Sequence, residues 1–168
     1  MERNGITRES ITQGTAKFLE ARALGDLTVD ALSRSMRMSK SSLYKFYASK
    51  DDLMVALVEG LCAEAVDEIA VARGRFDALV HALVAHLARV PRALVGGRDR
   101  LDPASRARLE AVDDAFSVAF AECPLSGGPG AGVAVVAAAG AVALANARDE
   151  IPGDRGELIR EVVLRFRR

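Results

Sequence analysis

The sequence has no tryptophan, two histidines, two cysteines and, after Lys50, no lysine at all. Each shortage excludes something. Cys62 and Cys123 lie on different segments without metal-ligand spacing, so they read as two buried, reduced thiols rather than a disulfide framework. His81 and His86 are five residues apart, about 140° around a helix, so one metal ion cannot easily take both. Solvated or pocket-rim positions suit them better, and no metal is expected. The glycines around 127–132 follow no strand and make no Gly-x-Gly-x-x-Gly, and no Gly-Lys-Ser/Thr follows them, so they form no nucleotide loop. Ser126, Cys62 and Cys123 have no base near them in sequence, so no enzyme signature is present and no cofactor is expected. Met1 is followed by Glu2, Arg3 and Asn4 with no apolar run, which predicts no signal peptide. The run from Val133 to Ala147 is alanine-rich and broken by Gly140, whereas a membrane span needs roughly 20 strongly apolar residues. A helix of small apolar residues fits a close-packed position in a core or against a partner chain. These readings point to a soluble, cytoplasmic protein.

The formal net charge is also zero, but it is unevenly spread. Residues 1–50 hold Arg3, Arg8, Lys17, Arg22, Arg34, Arg37, Lys40, Lys45 and Lys50 against five acids, a balance of +4, which leaves −4 for the remainder. Three of the four lysines fall between Lys40 and Lys50. A basic end on a neutral chain suggests local contact with a polyanion.

Nearly every segment has helical periodicity. Ile11, Thr15, Phe18, Leu19 and Arg22 share a face, predicting a helix from about Thr7 to Leu24. Thr28, Ser39 and Ser49 read as N-caps of the next three helices, the first two short and the third long. Leu53, Leu57, Leu61, Ala65 and Ile69 form the stripe of the long one, with Met54, Val58 and Cys62 beside it. Phe76 to Leu87 predicts another helix, and Val95-Gly96-Gly97-Arg98 a loop. Asp102-Pro103 starts the helix carrying Leu109, Val112, Phe116 and Phe120. After a glycine-rich loop at 127–130 come the alanine-rich helix and a last amphipathic one through Leu158, Ile159, Val162, Val163 and Phe166. No strand is predicted. The fold class is all-α.

Two short helices separated by Met36-Arg37-Met38, after a longer first helix, describe a helix–turn–helix. In that geometry the second short helix enters the DNA major groove. Lys40, Ser41 and Ser42 lie on its first turn, where side chains reach base edges, and Tyr44 and Lys45 follow one turn on. Lysine donates to guanine acceptors, and serine bonds to bases or phosphate. Leu43 and Phe46 read as the anchors that hold this helix to the core.

The stretch LTVDALSRSMRMSKSSLYKFYASKDDLMVAL resembles the DNA-binding region of the TetR-type transcriptional regulators. Thr28-Val29, Ser39, Leu43-Tyr44, Phe46, Ser49-Lys50 and Leu53 occupy the positions of that pattern, and FLEARALG upstream is similar too. The match covers residues 6–58. The family turn usually has glycine where this chain has Arg37, and the C-terminal part is short for the family. The resemblance implies a DNA-binding domain over 1–50 joined by a long helix to a ligand-binding and dimerisation domain over 51–168. It implies that Thr28, Tyr44 and Lys50 hold phosphates, with Lys40, Ser41, Ser42 and Lys45 nearest the bases of double-stranded DNA. It further implies a homodimer and an effector cavity. Ala137, Ala141, Ala145, Leu158, Ile159, Val162, Val163 and Phe166 are the expected dimer contacts. Cys62, Phe76, His81, His86, Phe116 and Phe120 are the expected pocket lining. The function expected is a repressor released from a palindromic site by a small molecule. Two rivals stand beside it: a small-molecule-binding or enzymatic helical domain whose basic end is incidental, and a purely structural helical dimer.

Overall fold

The computed structural model describes residues 6–125 and 130–167; Arg3, Ser126 and most of the expected 127–130 loop lie outside them. Nine α-helices are found among the described residues: α1 Arg8–Ala21, α2 Val29–Ser35, α3 Lys40–Tyr44, α4 Lys50–Ala72, α5 Phe76–Arg89, α6 Arg92–Gly96, α7 Pro103–Ala121, α8 Ala131–Ala147 and α9 Arg155–Leu164. They include no strand, only an isolated antiparallel bridge between Leu125 and Arg167.

Local chemistry sets the boundaries. Side-chain oxygens of Thr7, Thr28, Ser39, Ser49, Asp102 and Asp154 each accept a hydrogen bond from a backbone N–H in the first turn they start. Asp52 reaches back from α4 to the Ala48 N–H at 3.0 Å, closing a reciprocal cap around Ser49. The first helix ends at Ala21 rather than Leu24, because Leu24–Asp26 tightens into a 3-10 turn.

The turn after α2 shows what replaces the missing glycine. The Met38 N–H donates to the Ser33 carbonyl (3.0 Å) and the Arg37 N–H to that of Arg34 (3.2 Å), the double closure of a Schellman cap. This motif needs a left-handed residue just past the helix, and Arg37 supplies it at φ 52°. A side chain in that conformation costs about 1–2 kcal/mol. The turn keeps its shape, with the strain on Arg37.

The expected loop at Val95–Arg98 is corrected. Pro91 starts α6, its carbonyl accepting from Leu94 N and Val95 N, and Leu94 is fully buried. The predicted stripe of α4 is buried throughout, from Leu53 to Ile69. α4 packs on α5 and α7, α7 on α8, and α9 on both α8 and α5. α1 touches α4 and α6, which joins the N-terminal helices to the body. No helix among the described residues is long and apolar enough to cross a membrane.

The last helix also corrects an expectation. Ile159 and Val163 are fully buried, facing the same chain's core rather than a partner. Leu158, Val162 and Phe166 are half-buried, and Phe166 packs on that core too. The apolar stripe folds back because α9 lies in the groove between α5 and α8. On α8 the outcome differs: Ala137 and Ala141 are exposed, Ala145 is half-buried, and Val133 on the same open side is 61% exposed.

Candidate nucleic-acid interface

Three aromatic and aliphatic groups set α3 in place. Leu43 is fully buried and Tyr47, just past the helix, is 1% exposed. Phe46, the expected anchor, is only half-buried, because the chain turns after Tyr44 and swings Tyr47 inward instead. The Tyr47 hydroxyl donates to the Arg8 carbonyl at 3.1 Å. In return the Arg8 guanidinium lies 4.4 Å over the Tyr47 ring and donates to the Phe46 carbonyl at 2.7 Å. Burial raises the Tyr47 pKa, against the pull of Arg8, so the hydroxyl stays a donor. The start of α1 thus clasps the end of α3.

With the anchors inside, the polar residues face out. Thr28, Lys40, Ser41, Tyr44, Lys45 and Lys50 are exposed and Ser42 is half-buried; none of the seven belongs to the core. The serines are already organised. Ser39 Oγ lies 2.9 Å from Ser41 Oγ and 2.8 Å from Ser42 Oγ while accepting from the Ser42 N–H. Thr28 is engaged in capping α2. Lys40 is ion-paired with Asp30 of α2. That contact was invisible to residue spacing, because the two positions lie on different helices.

The expected pocket residues do not surround one cavity. Cys62, Phe116 and Phe120 are packed into the core, and half-buried Phe76 meets Phe120 edge-on at 5.8 Å. His81 is exposed and lines an open groove between α4 and α5 with Val71 and Arg75. The more enclosed space, about 190 Å³, lies elsewhere, between α5, α6, α7 and α8. Leu83, Leu87, Val95, Val136, Ala143 and Leu144 give it an apolar wall, and Gly140 opens it. Its polar feature is Arg98, whose Nη1 donates to Asp113 Oδ2 at 2.5 Å. Four helices converge on it, which no helical wheel displays.

His86 also departs from its expected wet position. It is fully buried beside Phe116 (5.9 Å), and neither ring nitrogen has a hydrogen-bond partner among the described residues. Desolvation lowers its pKa from 6.5 to about 4, with Asp113 opposing and Arg89 and Arg98 assisting. Between these two values the unfolded chain takes up a proton that the folded chain refuses, so stability is full above pH 6.5 and falls as pH drops toward 4. At about pH 4.5 the expected loss is roughly 2–3 kcal/mol. Urea unfolding of the wild type and of His86→Leu measures it; an equal acid loss in both would assign the effect to other groups. Burial raises the pKa of both Cys62 and Cys123, so the thiols stay protonated at neutral pH. No three His, Cys, Asp or Glu side chains among the described residues are placed to hold a metal.

Two short helices around a tight turn, braced by α1 and carried on an all-helical body, make this a helix–turn–helix protein. Residues 11–57 match the family model of the bacterial regulatory proteins of the tetR family. Over 98% of this chain and 97% of the other, the fold superposes on a TetR-like transcriptional regulator from Rhodococcus sp. RHA1, with TM-score 0.66 and 21% identity. It superposes similarly on the multidrug binding protein EbrR complexed with imidazole, with TM-score 0.62, 19% identity and coverage of 96% and 95%. No curated protein matches the chain in sequence. The N-terminal third is a TetR-type helix–turn–helix DNA-binding domain, and the chain has the fold of the TetR-type transcriptional regulators.

Proposed function

We propose that the protein is a cytoplasmic transcriptional repressor that binds a palindromic DNA site as a homodimer and leaves it when a small molecule enters the cavity. Residues 1–50 form the DNA-reading head and 51–168 the effector-binding and dimerisation body. The observation that carries this is the exposed first turn of α3, Lys40-Ser41-Ser42, held outward by buried Leu43 and Tyr47. Lys50, at the start of α4, faces phosphate. The basic test is affinity for an unrelated duplex over a salt series. A falling log–log slope is expected; binding that ignores salt, or no binding at all, sinks the reading. Lys50→Ala is expected to weaken binding to all duplexes by a similar factor and to reduce the salt slope by about one. A loss confined to the preferred site would remove Lys50 from the phosphate set.

The cavity is small and mostly apolar, which suits a compact effector; EbrR, alike in fold, is a multidrug binding protein that holds imidazole. The route from cavity to head is short. Arg98 follows α6, and the first N–H of α6, at Arg92, donates to Glu20 Oε2 of α1 at 2.9 Å. The other Glu20 oxygen lies 3.5 Å from Arg155, which also donates to the Ala88 carbonyl at 2.9 Å. Arg92 meanwhile donates to the Asn146 carbonyl at the end of α8 (2.8 Å) and to Asp149. An effector that parts Arg98 from Asp113 shifts α6, and α6 pulls on α1. Because two recognition helices must sit about 34 Å apart to enter successive grooves, a small rotation releases both.

Dimerisation belongs on the open face of α8, where Val133, Ala137 and Ala141 lie uncovered and small side chains let backbones approach. Ala141→Glu leaves the fold intact and is expected to yield a monomer whose affinity for a two-half-site duplex falls by at least tenfold. Sedimentation reads the first effect and titration the second. A wild type that is monomeric at micromolar concentration, or an Ala141→Glu protein that remains dimeric, would displace the interface.

A further inference from the structure

The ion pair between Asp30, second residue of α2, and Lys40, first residue of α3, is 54% and 59% exposed at the side chains. A carboxylate there needs a reason. The helix dipole favours an acid in the first turn, but an exposed pair contributes little to stability. On a surface that approaches phosphates, an acid opposes binding unless it meets a hydrogen-bond donor. The donors on the floor of the major groove are cytosine N4 and adenine N6.

Resting on the DNA-binding reading above, we propose that Asp30 and Lys40 act as one specificity unit that reads a G·C base pair. Guanine N7 and O6, both acceptors, lie side by side on the groove edge, and cytosine N4, a donor, follows. The lysine ammonium has three donors. One holds Asp30 and two reach N7 and O6, while the free carboxylate oxygen accepts from N4. The ion pair survives in the complex, and each side chain aims the other. An A·T pair presents its acceptors on either side of the adenine amino group, so it satisfies the carboxylate only with fewer lysine contacts. The nearby hydroxyls do not substitute for the pair, since Ser39, Ser41 and Ser42 are already bonded together.

The experiment is selection of bound sequences from random duplexes with wild type, Asp30→Asn and Asp30→Ala, the fold of each checked by circular dichroism. Wild type is expected to fix one G·C pair in each half-site. Asp30→Ala loses roughly tenfold discrimination at that pair and leaves the rest of the motif unchanged. Asp30→Asn moves the preference toward A·T, because an amide pairs with adenine N6 and N7. The inference is overturned if both variants select the wild-type motif and bind every duplex more tightly by a similar factor, for then the carboxylate only repels phosphate. A wild type that selects no motif is a different failure: it removes sequence-specific DNA binding itself, and this inference with it.

Discussion

Tyr47→Ala is expected to unfold the DNA-binding head, at a cost of about 3–5 kcal/mol. The ring is 1% exposed and fills the space behind α3, so truncation leaves a void where the helix is anchored. The loss compounds, because Tyr47 is one half of a reciprocal clasp. Its hydroxyl bond to the Arg8 carbonyl disappears, and Arg8 loses the ring it covers. α3 is only five residues long and cannot persist without its tertiary contacts. Tyr47→Phe separates the contributions: it keeps the ring and gives up the hydroxyl bond, about 1 kcal/mol. Urea unfolding and duplex titration should both show Ala far below Phe, and Phe slightly below wild type. Wild-type stability in Tyr47→Ala would mean that the ring does not support α3.

Gly132→Ala is expected to cost about 3 kcal/mol, and it has a control on the same helix. A Cβ at 132 would lie 2.1 Å from the Ser117 carbonyl oxygen and 2.9 Å from the Ala121 nitrogen, both backbone atoms of α7. Neither can rotate aside, so α8 must move, with the strain typical of an overpacked core. Gly140→Ala is the same exchange eight residues on, where nothing lies within 4 Å of the added carbon. There the better helix former should stabilise by up to about 1 kcal/mol. Gly140 also borders the cavity, so the added methyl narrows that space while the fold gains. Thermal unfolding of the two variants should move in opposite directions. Equal shifts would mean that α7 and α8 are further apart than described.

The parts of this molecule legible in its sequence are those settled within a few residues. Thr28, Ser39, Ser49 and Asp102 cap helices through bonds to neighbours two or three positions on, and the α4 stripe follows from one period. α6 escaped because five residues give no period, and its buried Leu94 stands between glycines and a proline. Tyr47 and Phe46 are adjacent, so only the turn after α3 decides which goes inside. Ile159 and Val163 show the limit from another side: an apolar stripe states that it will be covered, not by which chain. The cavity was least legible, because Arg98 and Asp113 meet across the gap between α6 and α7. His86 lies on the inward face of α5, yet its residue type argues for a wet position.

The double engagement of Glu20 by the α6 backbone and Arg155 bears on how such regulators can be recombined. Exchanging residues 1–50 for the head of another protein removes Glu20 together with the helix–turn–helix. On the proposed function, the exchange keeps a response to an effector only if the donor head brings an acid at the same point of its first helix. On the function proposed above, a chimera without one would lose the path from cavity to head, and restoring that single carboxylate is the smallest repair that could make it inducible.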